Sequence, residues 1–412
     1  MKLAGRIGAL AERNFRLMFT STTISALGDG VSTIALAFAV LQISNSPTSL
    51  GLVIASRQVA AAGITVAAGV WADRLPRHLV LVGAATMQGC VQAVSGTLVL
   101  SGHATVLVLA GLALLYGLAD GFVIPASQGL VPLIVSAVRL QEANALLGLS
   151  RSLLGVLGPA LGGVLVGLGT PGSALLVDAA SFGIAAVLLV RLALAPRDDA
   201  VEPEPFLAEL RAGWLEFRRQ TWIWTTIVFF GIGNCAGASL GVLGPLVAKR
   251  QLGGATAWGA ILASDGIGAV IGGVIALRLN PRRPLLASCV AALPYGLLML
   301  ALGLGLPLPV LIGVSGFAGV CLAIHIALWF TVFQQRVPEE ARSRVSSYDA
   351  LGSFVLIPLG AAIAGPVASV VGISATLIGS SVITFATIAI VIAQPTVRAV
   401  RSLPHEPAAV QA

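Results

Sequence analysis

The chain has 412 residues, of which 57% are hydrophobic and only 10% charged, and its mean hydropathy is +0.96. A soluble domain is about one quarter charged and a disordered chain carries far less apolar surface, so a water-soluble enzyme and intrinsic disorder are both excluded. The net charge of +7 is spread in small basic clusters between long apolar runs, which is the pattern of a membrane protein and not of a nucleic-acid surface.

The N-terminus carries Lys2, Arg6, Arg13 and Arg16 without a short apolar core and cleavage site, so no cleaved signal peptide is expected. A membrane-crossing helix takes about 20 mostly apolar residues. Such spans are predicted in turn over 17–41, 48–72, 79–100, 104–126, 143–168 and 173–194. A polar stretch follows over 195–221, with Asp198, Asp199, Glu202, Glu204, Arg218 and Arg219 and prolines at 196, 203 and 205. Six more spans follow over 222–248, 256–278, 284–304, 308–334, 345–370 and 374–395. The expectation is an all-α polytopic membrane protein of twelve transmembrane helices in two six-helix pseudo-symmetric bundles, 1–194 and 222–412, joined by a cytoplasmic linker at 195–221.

Basic residues fix an expected orientation. With both termini in the cytoplasm, the inner side collects Arg74, Arg77, Arg139, Arg278, Arg282, Arg336 and Arg398 among others, and the outer loops hold only Lys249 and Arg250. The halves also echo each other. GLVIASR (51–57) matches GAILASD (259–265), LGDG (27–30) lies opposite IGNC (232–235), and GVWADRL (69–75) is paralleled by GVIALRL (273–279). The four cysteines, Cys90, Cys235, Cys289 and Cys321, fall inside apolar runs without C-x-x-C spacing and read as small buried hydrophobes. GLGTPGS (167–173) lacks the lysine of a phosphate-binding loop, so no nucleotide site is expected there.

GVWADRLPRH (69–78) resembles the signature loop of the major facilitator superfamily through Gly69, Asp73, Arg74 and Arg77. RSLLGVLGPALGG (151–163) looks like the fifth-helix motif of its drug/proton antiporter branch, through Gly155, Gly158, Pro159, Gly162 and Gly163. Together with NFRLMF (14–19), ISALGDGVSTIAL (24–36) and SPTSLGLVIASRQ (46–58), the chain is similar to bacterial macrolide and siderophore exporters of that branch. The resemblance implies a central cavity between the first, fourth, seventh and tenth helices, with gating contacts between helices 2 and 11 and between 5 and 8. It also implies that Asp73 meets the start of the eleventh helix near Arg344 when the inner side closes, acting as a latch on state and not as a substrate ligand. One feature departs from the branch: the fourth helix offers Asp120 in LLYGLADGFVIPA (114–126) where many antiporters carry an arginine.

Charges inside spans are costly, about 2.5–3.5 kcal/mol each, so they face a cavity or a partner. Asp29 and Arg57 lie roughly 18 and 14 Å below the outer surface at 1.5 Å rise per residue, and can therefore meet. They read either as an ion pair fixing two helices or as a pair bordering the substrate route. Asp265 takes on the eighth span the place of Arg57 on the second, and it and Asp120 are the expected proton carriers. His325 is read either as a titrating residue or as a hydrogen-bonded packing residue. Asp178 is read as structural, and Asp349 as solvated, paired or functional.

The expected function is export of small amphipathic compounds by proton antiport, with a small-molecule substrate, protons and the lipid bilayer as partners. No metal, cofactor or nucleic acid is expected. The chain is expected to be monomeric in the plasma membrane. An importer of a small metabolite and a non-transporting receptor or scaffold are the alternatives.

Overall fold

Within a bilayer every backbone amide and carbonyl needs a partner inside its own segment, so long apolar runs become long helices. A computed structural model of the chain bears this out over residues 8–72, 76–193, 218–337, 345, 348, 349 and 352–402, the residues it describes. The long helices are α1 (Arg13–Ile43), α2 (Pro47–Ala72), α3 (Arg77–Leu100), α4 (Val106–Ile134), α5 (Leu140–Leu168) and α6 (Pro171–Val190) in the first half. The second half holds α7 (Thr221–Val247), α8 (Ala255–Ala276), α9 (Pro284–Ala292 and Tyr295–Gly303), α10 (Leu308–Arg336), α11 (Ile357–Val371) and α12 (Ile373–Ala393). Among the described residues eleven such segments are long and apolar enough to cross a membrane. The remaining long helix, α2, has 26 residues.

Helix ends follow local chemistry. Thr105 starts α4 by accepting from the Val108 amide at 3.3 Å. Thr170 and Ser173 form a reciprocal capping box with Pro171 at the first position of α6. The glycine-rich stretch around 170 is thus a helix start. Two helices depart from the expected spans. The fourth runs on to Ile134 through Pro125 and Pro132, well beyond the expected 126. The ninth is interrupted at Leu293–Pro294, where proline cannot donate to the preceding turn.

The two halves pack alike. In the first, α1 lies against α5 and α6, α2 against α4, and α3 against α4 and α6. In the second, α7 lies against α11 and α12, α8 against α10, and α9 against α10 and α12. The same pairs recur with each index raised by six, which is the architecture expected from the sequence echoes. Between the halves the principal seams are α5 with α8 and α2 with α11. Large apolar side chains on the outer surface, such as Leu107 (76% exposed) and Leu168 (88% exposed), form the kind of surface that lipid covers. Cys90 belongs to that exposed surface, against the expectation that all four thiols are buried; Cys289 is buried, and Cys235 and Cys321 are intermediate.

The glycines of α5 face two neighbours. A Cβ on Gly30 of α1 would stand 2.6 Å from the Gly158 Cα, and one on Gly162 would stand 3.0 Å from the Val31 Cα. A Cβ on Gly163 would meet the Ala255 carbonyl oxygen at 2.9 Å and the Gly259 Cα at 3.0 Å, while one on Gly259 would lie 2.7 Å from the Pro159 carbonyl oxygen. Gly158 and Gly162 therefore seat α1 within the first half, and Pro159 and Gly163 form the seam to α8. Gly155 has open space at its own Cβ position, but its carbonyl oxygen stands 2.9 Å from where a Cβ on Gly266 would be.

Candidate functional site

The membrane-buried charges converge in the first half. Arg57 on α2 reaches Asp29 Oδ1 on α1 and Asp120 Oδ2 on α4 with the same Nη2 atom, each at 3.3 Å. Tyr116, one turn before Asp120, donates its hydroxyl to Asp29 Oδ1. Its ring lies under the Arg57 guanidinium at 4.2 Å, a favourable stacking of cation on π-face. Close packing makes this possible, because Gly117 of α4 leaves room for the Arg57 backbone carbonyl. The expected Asp29–Arg57 pair is therefore a three-residue cluster with Tyr116 alongside. Asp120 belongs to that cluster.

The cluster borders a cavity of about 130 Å³ among α1, α3, α4 and α6, lined by Asp29, Asp120, Ser25, Gln88 and Ser127 among others. Asp178 on α6 is fully buried beside it. It accepts from Gln92 Nε2 at 2.6 Å and from Ser181 Oγ at 3.2 Å, an arrangement that fits the structural reading.

Asp265 sits on α8 ten residues after the helix start at Ala255, as Arg57 sits ten after Pro47 on α2. Gly319 on α10 receives its carbonyl as Gly117 receives that of Arg57. Asp265 is half-buried and has no side-chain partner among the described residues.

His325 on α10 lines a larger cavity of about 370 Å³ among α7, α9, α10, α11 and α12. Its ring stacks on Phe230 with centroids 4.9 Å apart and planes 3° from parallel. Its Nδ1 lies 3.1 Å from the Ser288 carbonyl oxygen and 2.9 Å from Ser288 Oγ. Asp349 accepts from Trp329 Nε1 and Ser353 Oγ, both at 3.2 Å.

Of the loop motif, Arg77 at the start of α3 donates to the Gly129 carbonyl oxygen of α4 at 2.5 Å. Gly69 belongs to α2. Asp73 and Arg74, and the Arg344 region that Asp73 is expected to meet, lie outside the described residues.

Two residues that the sequence reading assigned only to an outer loop join the halves. The helix after α7 widens into a π-turn over Ala248–Leu252, a form frequent at functional sites. From it Lys249 Nζ reaches the Leu41 carbonyl oxygen at 2.5 Å and Asn45 Oδ1 at 2.6 Å, and Arg250 Nη2 reaches the Asn45 carbonyl oxygen at 3.0 Å. Gly253 and Gly254, at φ of 98° and 86°, turn the chain into α8. Thr256 adds a bond to the Gly163 carbonyl oxygen at 3.3 Å, so hydrogen bonds between the halves cluster at this end. Replacing Lys249 and Arg250 together with Gln should loosen this end, and distances between spin labels at 43 and 251, which leave Asn45 and Gly253 in place, should lengthen in a larger share of molecules. Unchanged distances would remove any latch role.

The Major Facilitator Superfamily model matches residues 18–361. The chain belongs to this superfamily. Among curated proteins, the facilitator is 26% identical to the multidrug efflux pump Tap of Mycobacterium tuberculosis over 381 residues, 88% of each chain. It is 29% identical to the enterobactin exporter EntS of Salmonella typhimurium over 387 residues, 89% of this chain and 90% of that one. Among solved structures, a bacterial homologue of the human lysosomal transporter Spinster superposes with a TM-score of 0.72 at 15% identity, over 95% of this chain and 98% of that one. A bacterial homologue of the iron transporter ferroportin gives 0.68 at 16% identity, over 93% and 99%. The facilitator is a multi-pass membrane transporter of small molecules and not an enzyme.

Proposed function

We propose that this facilitator exports small amphipathic compounds from the cytoplasm in exchange for protons, by alternating access between its two bundles. The bundles are residues 1–194 and 222–412, the linker 195–221 and both termini are cytoplasmic, and one chain is the working unit. The observation that carries the coupling is one guanidinium held between two carboxylates at membrane depth. Arg57 balances one of them, so the cluster holds one excess negative charge, and uptake of a single proton makes it neutral. A neutral cluster can pass through the apolar closed stages of the cycle, whereas a net charge there is costly. Tyr116 and Arg57 both support Asp29 as an anion, which leaves Asp120 as the carboxylate that takes the proton. Asp265, without a side-chain partner among the described residues, is the second proton carrier.

With the termini inside, the end joined by Lys249, Arg250 and Thr256 is extracellular. A proton crossing 100 mV supplies about 2.3 kcal/mol, enough for roughly fiftyfold accumulation. Export is expected to appear as gradient-dependent uptake into everted vesicles, and an importer would lose substrate under the same gradient. In proteoliposomes Asp120→Asn should cut substrate-induced proton movement at least tenfold while the protein still binds substrate. Unaltered proton movement in Asp120→Asn would reject the assignment.

A further inference from the structure

The cavity of the second half differs from its twin in chemistry as well as size. Its volume of about 370 Å³ falls within the range of small-molecule sites, and such sites join apolar walls to a few aimed polar groups. Phe230, Tyr295, Trp329 and Phe330 supply aromatic walls. Trp329 holds its indole N–H against Asp349, fixing that ring at 3.2 Å from the carboxylate.

Most of the polar groups offer acceptors, the Tyr295 hydroxyl and the second Asn234 N–H being the donors left over. Ser288 Oγ donates to the His325 carbonyl oxygen at 3.0 Å, so the hydrogen between Nδ1 and the Ser288 carbonyl belongs to Nδ1. The neutral ring then offers the lone pair of Nε2. The hydroxyls of Thr226, Thr384 and Thr387 donate to the carbonyls of Trp222, Ser380 and Thr384. Ser353 donates to Asp349, and Asn234 donates to the Ser353 carbonyl oxygen at 2.9 Å, leaving its own oxygen free to accept. Among the described residues lining the chamber none is Lys or Arg, and Asp349 is its acidic group.

From this geometry we infer that the second-half chamber binds a lipophilic organic cation, such as an aromatic amine or onium compound, between its π-faces and the Asp349 carboxylate. This rests on the export reading and narrows its substrate class. Aromatic faces attract a cation and repel an anion. An anion would also find few donors, the Tyr295 hydroxyl and one Asn234 N–H, and would face the Asp349 carboxylate. The twin cavity cannot serve in the same way, because there Arg57 already occupies the carboxylates and the face of Tyr116.

The test compares tetraphenylphosphonium with tetraphenylborate, probes of nearly equal size and shape and opposite charge. Each is titrated by calorimetry into the full chain in nanodiscs, with partition into empty nanodiscs subtracted and no gradient present. The phosphonium should bind at least tenfold tighter than the borate. Asp349→Asn and Phe230→Leu should each weaken it at least fivefold while eluting as monodisperse as the unmodified protein. Equal or tighter binding of the borate, a comparison that needs no variant, would overturn the inference. So would phosphonium affinity unchanged in both variants. Proton-driven phosphonium efflux from vesicles, measured separately, keeps the two readings apart. Efflux with unaffected chamber variants removes the chamber and leaves export standing, whereas chamber binding without efflux upholds the chamber and removes export.

Discussion

Arg57→Gln should stop coupled transport and lower the thermal stability of the purified protein, with partial recovery when Asp29→Asn or Asp120→Asn is added. Both carboxylate oxygens lie 3.3 Å from one nitrogen, so they are at most about 6.6 Å apart. Without the guanidinium their repulsion is roughly 2.5 kcal/mol at an effective dielectric of 20. Removing one partner of a fully buried ion pair costs about 3–5 kcal/mol. Here the side chains are 25–34% exposed to the cavity, which places the expected loss nearer 2–3 kcal/mol. The second change restores charge balance, so the double variant should be more stable than Arg57→Gln alone. Strictly additive losses in that cycle would mean the residues do not act on one another. Each double variant keeps one carboxylate and the net charge of the native cluster, so transport should recover further with Asp29→Asn, which leaves Asp120 to take up the proton, than with Asp120→Asn.

The second large effect is expected at Gly163. A valine there would drive its Cβ against the Ala255 carbonyl and the Gly259 Cα, both backbone atoms that cannot rotate away. Overpacking of this kind costs about 1–3 kcal/mol. Because the strained contact joins the halves, that cost falls on the state in which this end is closed. A shift of this size changes a two-state ratio roughly 5- to 150-fold. Gly163→Val should therefore move the population toward molecules open at the Asn45 end, with little change in folding yield. Gly158→Val should do the reverse, because Gly158 meets Gly30 inside one half. It should depress yield and unfolding temperature without moving the conformational balance. Double electron–electron resonance across the Asn45 end, read beside thermal unfolding, separates the two. If both variants behave alike, the two-sided reading of α5 is wrong.

The helices and the duplication were legible because membrane burial demands long apolar runs, and a repeat leaves matched strings. Matching depth brought Asp29 and Arg57 together, since helix rise is constant even when rotation is unknown. Tyr116 escaped because a phenol on an apolar helix has no distinguishing pattern; the sole clue was its spacing one turn before Asp120. The grip of Lys249 on Leu41 escaped for a different reason, since its acceptor is a main-chain carbonyl that any residue supplies. Pro294 in the middle of a span was visible and was a fair signal of the α9 interruption. Which faces of α7, α10 and α11 enclose a chamber depends on rotation about each axis, which composition and depth leave open.

The two cavities are lined by residues of separate bundles. Inheritance can therefore act on them one at a time. On the proposed coupling, an altered aromatic in the second bundle would change which compounds are accepted and leave the charge balance of the Arg57 cluster undisturbed. Such a transporter can widen its chemical repertoire through single steps, none of which has to rebuild the engine.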